Sequence, residues 1–171
     1  MKLLGYREFI NTECSLINNP ILKIKAIKID SNKNKNNLKQ QMGCKNLKSC
    51  DYFRRRKDSF YFIEISDFHT QLENLKSKFS NKEASKIIKN EIRLKLSETL
   101  LLYNQILKQL YIKDDNQKLK NRVLLTVCKS SIPDTIVLAY LSRELTKHYC
   151  PTHFSEIKVI PYTELENIFR Q

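Results

Sequence analysis

Glycine is nearly missing from this chain: there are 2 glycines in 171 residues. Neither GxGxxG nor GxxxxGK[ST] occurs in it. That excludes the glycine-rich loops that cradle phosphates in dinucleotide-binding and P-loop proteins. Long apolar runs are missing too, and nothing approaches the roughly 20 residues a membrane helix needs. The opening "MKLLGYREFINTEC" is too short in apolar length and too charged for a secretory signal. Acids are outnumbered, 18 against 31 lysines and arginines, for a net charge of +13. Such a balance favours polyanionic partners: DNA, RNA or acidic lipid headgroups. A lysine-rich surface with no partner is the plain alternative. The five cysteines are an odd number. With no secretory signal, that points to free thiols in a reducing, cytoplasmic compartment.

What is present suits one folded domain over 1–171. Hydrophobic residues make up 41% and charged residues 29%, the balance of a globular chain with one core. Apolar positions in "LLGYREFINTECSLI", 3–17, predict a first helix, ended by Asn18, Asn19 and Pro20. In "ILKIKAIKID", 21–30, Leu22, Ile24 and Ala26 alternate with Lys23 and Lys25, the pattern of a strand with one basic face. The alternation slips at Ala26–Ile27, where a bulge or an early end is expected. Residues 31–46 are polar and read as a flexible basic loop.

From Leu72 onward the spacing is helical. "SNKE", with Ser80 and Glu83, has the form of a capping box. Ile88, Ile92, Leu96, Leu100, Tyr103, Leu107 and Leu110 then mark one face of a long helix. "RVLLTVC", 122–128, is a continuous apolar run that suits a strand buried on both faces. A helix over 131–149, a strand over 156–162 and a closing helix over 163–169 follow. Strands separated by helices predict an α/β fold, a mixed central β-sheet flanked by helices.

The chemistry concentrates in "SCDYFRRRKDSFYFIEISDF", 49–68. Two strand-like runs flank Lys57 and Asp58. With a two-residue turn there, Arg56 faces Ser59 and Asp51 lands opposite Glu64. Residues directly opposite point to the same side of a sheet, and like charges so placed repel unless something compensates. A divalent cation would do so: Mg²⁺ takes one or two carboxylates together with water and substrate phosphate. Pairing of one acid with Arg54, Arg55 or a neighbouring lysine would also do so. The cluster "RRRK", with Arg54, Arg55, Arg56 and Lys57, would grip a phosphate backbone together with Lys23 and Lys25.

The stretch "CDYFRRRKDSFYFIEIS" resembles the motif of the PD-(D/E)XK nuclease superfamily, and the order of elements resembles its restriction-endonuclease-like core, αβββαβ. Here a C-terminal helix-strand-helix extension would follow that core. The resemblance covers roughly residues 3–128. It implies metal-dependent phosphodiester hydrolysis of DNA or RNA, with Asp51 and Glu64 as Mg²⁺ ligands. In many members the first helix adds a glutamate, matched by Glu8 or Glu13, with Glu13 taken as the third ligand. The motif lysine is replaced by Ser66. A serine cannot stabilise charge as a lysine does. Lys76 or Lys78 on the next helix would stand in, as in members that move the lysine. Otherwise the chain is a non-catalytic nucleic-acid-binding or protein-interaction module derived from a nuclease fold. Many relatives by resemblance act as dimers, so a homodimer is among the expected assemblies.

Other constellations point less far. His148, Cys150 and His153, and separately Cys44 and Cys50, are zinc-ligand types without a standard spacing, so zinc is not expected. Cys50 with His69 would make a nucleophile pair only if something oriented them. Asp67 and His69 are additional ligand types just after the second strand, or simply the start of the next helix, for which Asp67 would be the cap.

Overall fold

The computed structural model describes residues 7–11, 21–29, 38–56, 59–66, 68–109, 120–127, 135–147 and 156–170. They form a mixed α/β fold around a six-stranded sheet in the order β1-β2-β3-β4-β5-β6. The strands are β1 (Arg7–Asn11), β2 (Ile21–Lys28), β3 (Tyr52–Arg56), β4 (Ser59–Ser66), β5 (Lys120–Val127) and β6 (Glu156–Pro161). The first four pair antiparallel in succession. β4–β5 and β5–β6 are parallel, as expected where a helix intervenes. The helices are α1 (Leu38–Gln41), α2 (Phe68–Lys76), α3 (Asn81–Gln109), α4 (Thr135–Lys147) and α5 (Tyr162–Arg170).

Three expectations are corrected by the structure. The predicted first helix over 3–17 is, in its described part, strand β1, paired with β2. Within Arg7–Asn11 the apolar residues are Phe9 and Ile10 alone, too few to carry a helical period, and the neighbouring β2 edge supplies the ladder. Within the supposed loop 31–46, α1 is anchored: Leu38 and Met42 lie in the core, and Lys39 is buried with its ammonium on the Leu47 carbonyl at 3.0 Å. Gly43, at φ +70°, ends this turn, where its missing Cβ removes the strain of a left-handed residue. The slip at Ala26–Ile27 marks no bulge. Ile24 and Ala26 pack on one face of the sheet and Ile27 and Ile29 on the other. The irregularity lies instead between Phe9 and Asn11 of β1.

β4 carries apolar side chains toward both faces, and both are covered. On one face Phe53, Phe60 and Phe62 surround Tyr103 of α3, ring centroids 6.4, 5.2 and 5.6 Å away, all edge to face. Leu145 of α4 and Ile157 and Val159 of β6 extend that core. On the other face Tyr52, Tyr61, Ile63 and Ile160 meet Leu165 and Phe169 of α5. The long helix is set by its predicted cap. Ser80 N–H and Oγ donate to Glu83 Oε2 at 3.1 and 2.7 Å, and Glu83 N–H returns to Ser80 Oγ at 3.4 Å. Its stripe Ala84, Ile92, Leu96, Thr99, Leu102, Tyr103 and Ile106 is buried.

A candidate carboxylate–lysine site

The β3–β4 register places the two acids. The ladder runs from Arg56↔Ser59 to Tyr52↔Ile63, the even turn the sequence predicts. One step beyond, Asp51 stands just before β3 and Glu64 lies on β4, near enough that the charge of Asp51 acts on Glu64. Asp51 holds the end of the ladder twice over. Its carbonyl accepts the Ile29 N–H at 2.8 Å, and its carboxylate Oδ2 accepts the Ile65 N–H at 2.8 Å. Asp51 is partly exposed. Glu64 is 1% exposed.

Glu64 does not stand alone. Lys95 of α3 places its Nζ 2.5 Å from Oε1. Ser66, two residues along the same strand face, donates its hydroxyl to the same oxygen at 3.0 Å. The other oxygen, Oε2, is buried with no hydrogen-bond partner among the described residues. A buried carboxylate oxygen without a donor is costly. Burial pushes the Glu64 carboxyl up to about 7, and the Asp51 charge adds to this against the pull of Lys95 and Ser66. At Lys95 burial acts downward. The Glu64 charge and hydrogen bond, with Asp51 and Glu91, outweigh it and hold the ammonium above its ordinary value. Lys95 is therefore a fixed positive charge at neutral pH, not a base.

Helix and strand are tied together at this point. Thr99 Oγ1 accepts the Cys50 N–H at 2.7 Å and donates to the Lys95 carbonyl at 2.6 Å. Glu98 of α3 accepts the Lys48 N–H. The segment 48–50 is thus tied to α3, directly before Asp51, whose own hydrogen bonds go to Ile29 and Ile65.

The other predicted residues fall elsewhere. Lys76 is ion-paired inside α2 to Glu73 at 2.9 Å, and the lysine on Glu64 is Lys95. Lys78 is exposed in the turn after α2. Ser66, at the motif-lysine position, orients Glu64. Glu8 lies on β1 opposite Ala26, whereas Glu13 and Asp67 lie outside the described residues, as do Lys57 and the His148–Cys150–His153 group. Lys23 is on β2 and Arg56 ends β3. Lys25 is exposed and its carbonyl accepts Arg54 Nη1 at 3.1 Å. Consecutive strand residues point to opposite faces, and the arginines obey. Arg54 lies 4.8 Å from the Phe169 ring centroid and Arg55 5.8 Å from that of Phe60. Cys50 is fully buried, and burial, with the Glu64 charge, pushes its thiol far above the ordinary range. It is no nucleophile. Cys44 and Cys50 are free.

Sequence reasoning missed Lys95, yet a signal existed. Lys95 and Thr99 fall in the three-four stripe that Ile88, Ile92, Leu102 and Ile106 define. A long cation inside a core stripe needs a buried anion, and Glu64 was the unpaired one.

Among the described residues no group of three or more His, Cys, Asp or Glu side chains could share a metal ion. No described helix is long and apolar enough to cross a membrane. No family model, no curated protein and no solved structure matches the chain.

Proposed function

We propose that the chain is a nuclease-like protein that hydrolyses phosphodiester bonds of DNA or RNA with Mg²⁺ at Asp51 and Glu64. The observation that carries this is the buried Glu64. One of its oxygens is fixed by Lys95 and Ser66, and the other has no partner on the face where Asp51 stands. An unpartnered anionic oxygen beside a second carboxylate fits an oxygen-seeking cation. Two carboxylates suffice for Mg²⁺, which fills its remaining positions with water and substrate phosphate. When bound, the ion would supply Lewis acidity and a more acidic water.

The residues of the chain divide the remaining work. Ser66 and Lys95 lock the Glu64 rotamer. The Lys95 ammonium gives a fixed charge near negative charge developing on a phosphoryl group, which the serine at position 66 cannot give. From β2 to β5 the elements run strand, the short helix α1, strand, strand, helices α2 and α3, strand, with Asp51 just before the second strand and Glu64 on the third. This order supports a restriction-endonuclease-like core in which strand β1 stands where the resemblance expects the first helix. A net charge of +13 supports a polyanionic substrate. A second reading is a binding module that has lost chemistry. It is favoured by Lys95 already neutralising Glu64.

Calorimetric titration of Mg²⁺ and Mn²⁺ at low salt, into wild type and Glu64→Ala, tests the site. Binding that disappears in Glu64→Ala is expected. Cleavage of DNA or RNA is expected to fall by about a hundredfold or more in Asp51→Ala and Glu64→Ala, while affinity for the polyanion persists. Salt-sensitive binding that both variants keep, with no metal uptake by wild type, would overturn the enzyme reading in favour of the binding module.

A further inference from the structure

The side of α3 turned away from the sheet is not the polar surface a solvated helix presents. Ile87, Leu94 and Leu101 stand on it, 37, 42 and 59% exposed. They recur every seven residues, so they line up along about 21 Å of helix. Asn90 and Ser97 lie between them and Asn104 follows Leu101, all small, polar and exposed. The flanks are charged and sorted by sign. Lys86 and Arg93 line one side, Glu91 and Glu98 the other.

Taken as a heptad, Ile87, Leu94 and Leu101 occupy the a positions, Lys86 and Arg93 the g positions, and Glu91 and Glu98 the e positions. In a parallel pair of helices each g residue meets the e residue five places on in the partner. Lys86 then meets the partner's Glu91, and Arg93 meets the partner's Glu98. Both contacts are of opposite sign and occur twice by symmetry. An antiparallel pair would instead set g against g and e against e, which places like charges together. This charge pattern is complementary to itself in one orientation only.

We propose that this face of α3 is the interface of a parallel, two-fold symmetric homodimer, with a second copy of the chain as its occupant. This face shares no residue with the carboxylate–lysine site. Three apolar layers separated by Asn and Ser make a small seam, so the dimer is weak and exchanges in solution. Glu98 keeps its contact with the Lys48 N–H through Oε2 and offers its other oxygen across the seam. Lys108, at the next a position, closes the seam at its C-terminal end.

Sedimentation equilibrium across a concentration series tests this directly. The wild type is expected to show a monomer–dimer equilibrium. Leu94→Glu with Leu101→Glu is expected to abolish it and leave the far-UV circular dichroism unchanged, because both side chains already face water. Lys86→Glu is expected to weaken the dimer about tenfold, by turning two attractive contacts repulsive. The double variant Lys86→Glu with Glu91→Lys is expected to restore it, since the partners are exchanged and the sign match returns. A wild type that stays monomeric at the highest concentration overturns the proposal. So does a dimer that survives the Leu94 and Leu101 changes. Failure of the double variant to recover would overturn the parallel pairing. None of these readouts involves metal or cleavage, so failure of the dimer and failure of the nuclease reading remain separate results.

Discussion

The two faces of the β3–β4 pair are built from alternate residues of the same two strands, yet they handle polarity in opposite ways. On the α5 side, Tyr52 and Ile63 are a buried cross-strand pair, and Tyr61 packs edge to face on Phe169 at 5.0 Å. Charge there stays at the rim. Lys28 reaches the Tyr52 hydroxyl at 3.1 Å, and Arg54 lies over the Phe169 ring. One residue further along, on the α3 side, Asp51 and Glu64 carry charge inward, and Lys95 follows it. Packing alone asks for the first arrangement. Hydrophobic residues of similar size would fill the place of a buried ion pair at equal or better stability. An inward ion pair with an unpartnered oxygen is what a binding site needs and a core does not.

The largest effect is expected from emptying the α5 face while leaving the α3 face intact. Phe169→Ala removes a ring that is 8% exposed from the α5 face. It is expected to cost about 3–5 kcal/mol in urea unfolding, while the affinity for Mn²⁺ per folded molecule stays unchanged. A loss of metal affinity matching the loss of stability would show that the faces are not separable, and the α5 face would have to be counted with the site.

A smaller effect, and a more specific one, comes from pH. The Glu64 carboxyl is raised by burial and by Asp51 to about 7 in the fold, against an ordinary value of 4.5. A raised acid binds its proton more tightly when folded. Its contribution to stability is complete below pH 4.5 and is lost as pH rises through 7. Wild type is therefore expected to lose up to about 3 kcal/mol across that window relative to Glu64→Gln, which cannot titrate. Saturating Mg²⁺ should shrink the loss, because the ion favours the carboxylate. Parallel pH profiles for the two proteins would mean that the burial of Glu64 places no strain on its charge, and the argument from its lone oxygen would fail.

How much of this was legible beforehand follows from the range of the forces involved. The β3–β4 hairpin register, and with it the apposition of Asp51 and Glu64, came from a local turn and strand alternation. The Ser80–Glu83 cap and the stripe of α3 were likewise local. β5 was legible as a strand because Val123, Leu124 and Leu125 form an unbroken apolar run. The first segment misled because apolar spacing over so short a length suits helix and strand alike, and β2 alone decided it. α1 was hidden in a polar stretch, where the burial of Leu38 depends on the distant core. Lys95 was missed for a related reason. It lies 31 residues from Glu64 in sequence, and only the packing of α3 across the sheet brings them together.

The subtlest test lies at the joint between α3 and β3. Thr99 is 1% exposed, and its hydroxyl both accepts the Cys50 N–H and donates to the Lys95 carbonyl. Thr99→Val keeps the shape and deletes both contacts, leaving a buried N–H without a partner, at an expected cost of about 1–3 kcal/mol. Asp51 follows Cys50 directly, so the same change loosens one carboxylate while the Lys95 ammonium keeps its contact with Glu64. If α3 positions the site, Mn²⁺ affinity should fall in Thr99→Val further than in a variant of equal stability from the α5 face. Equal affinities in two equally destabilised proteins would mean that the strand ladder alone places Asp51, through the Ile29 and Ile65 hydrogen bonds. The tie to the helix would then serve stability only.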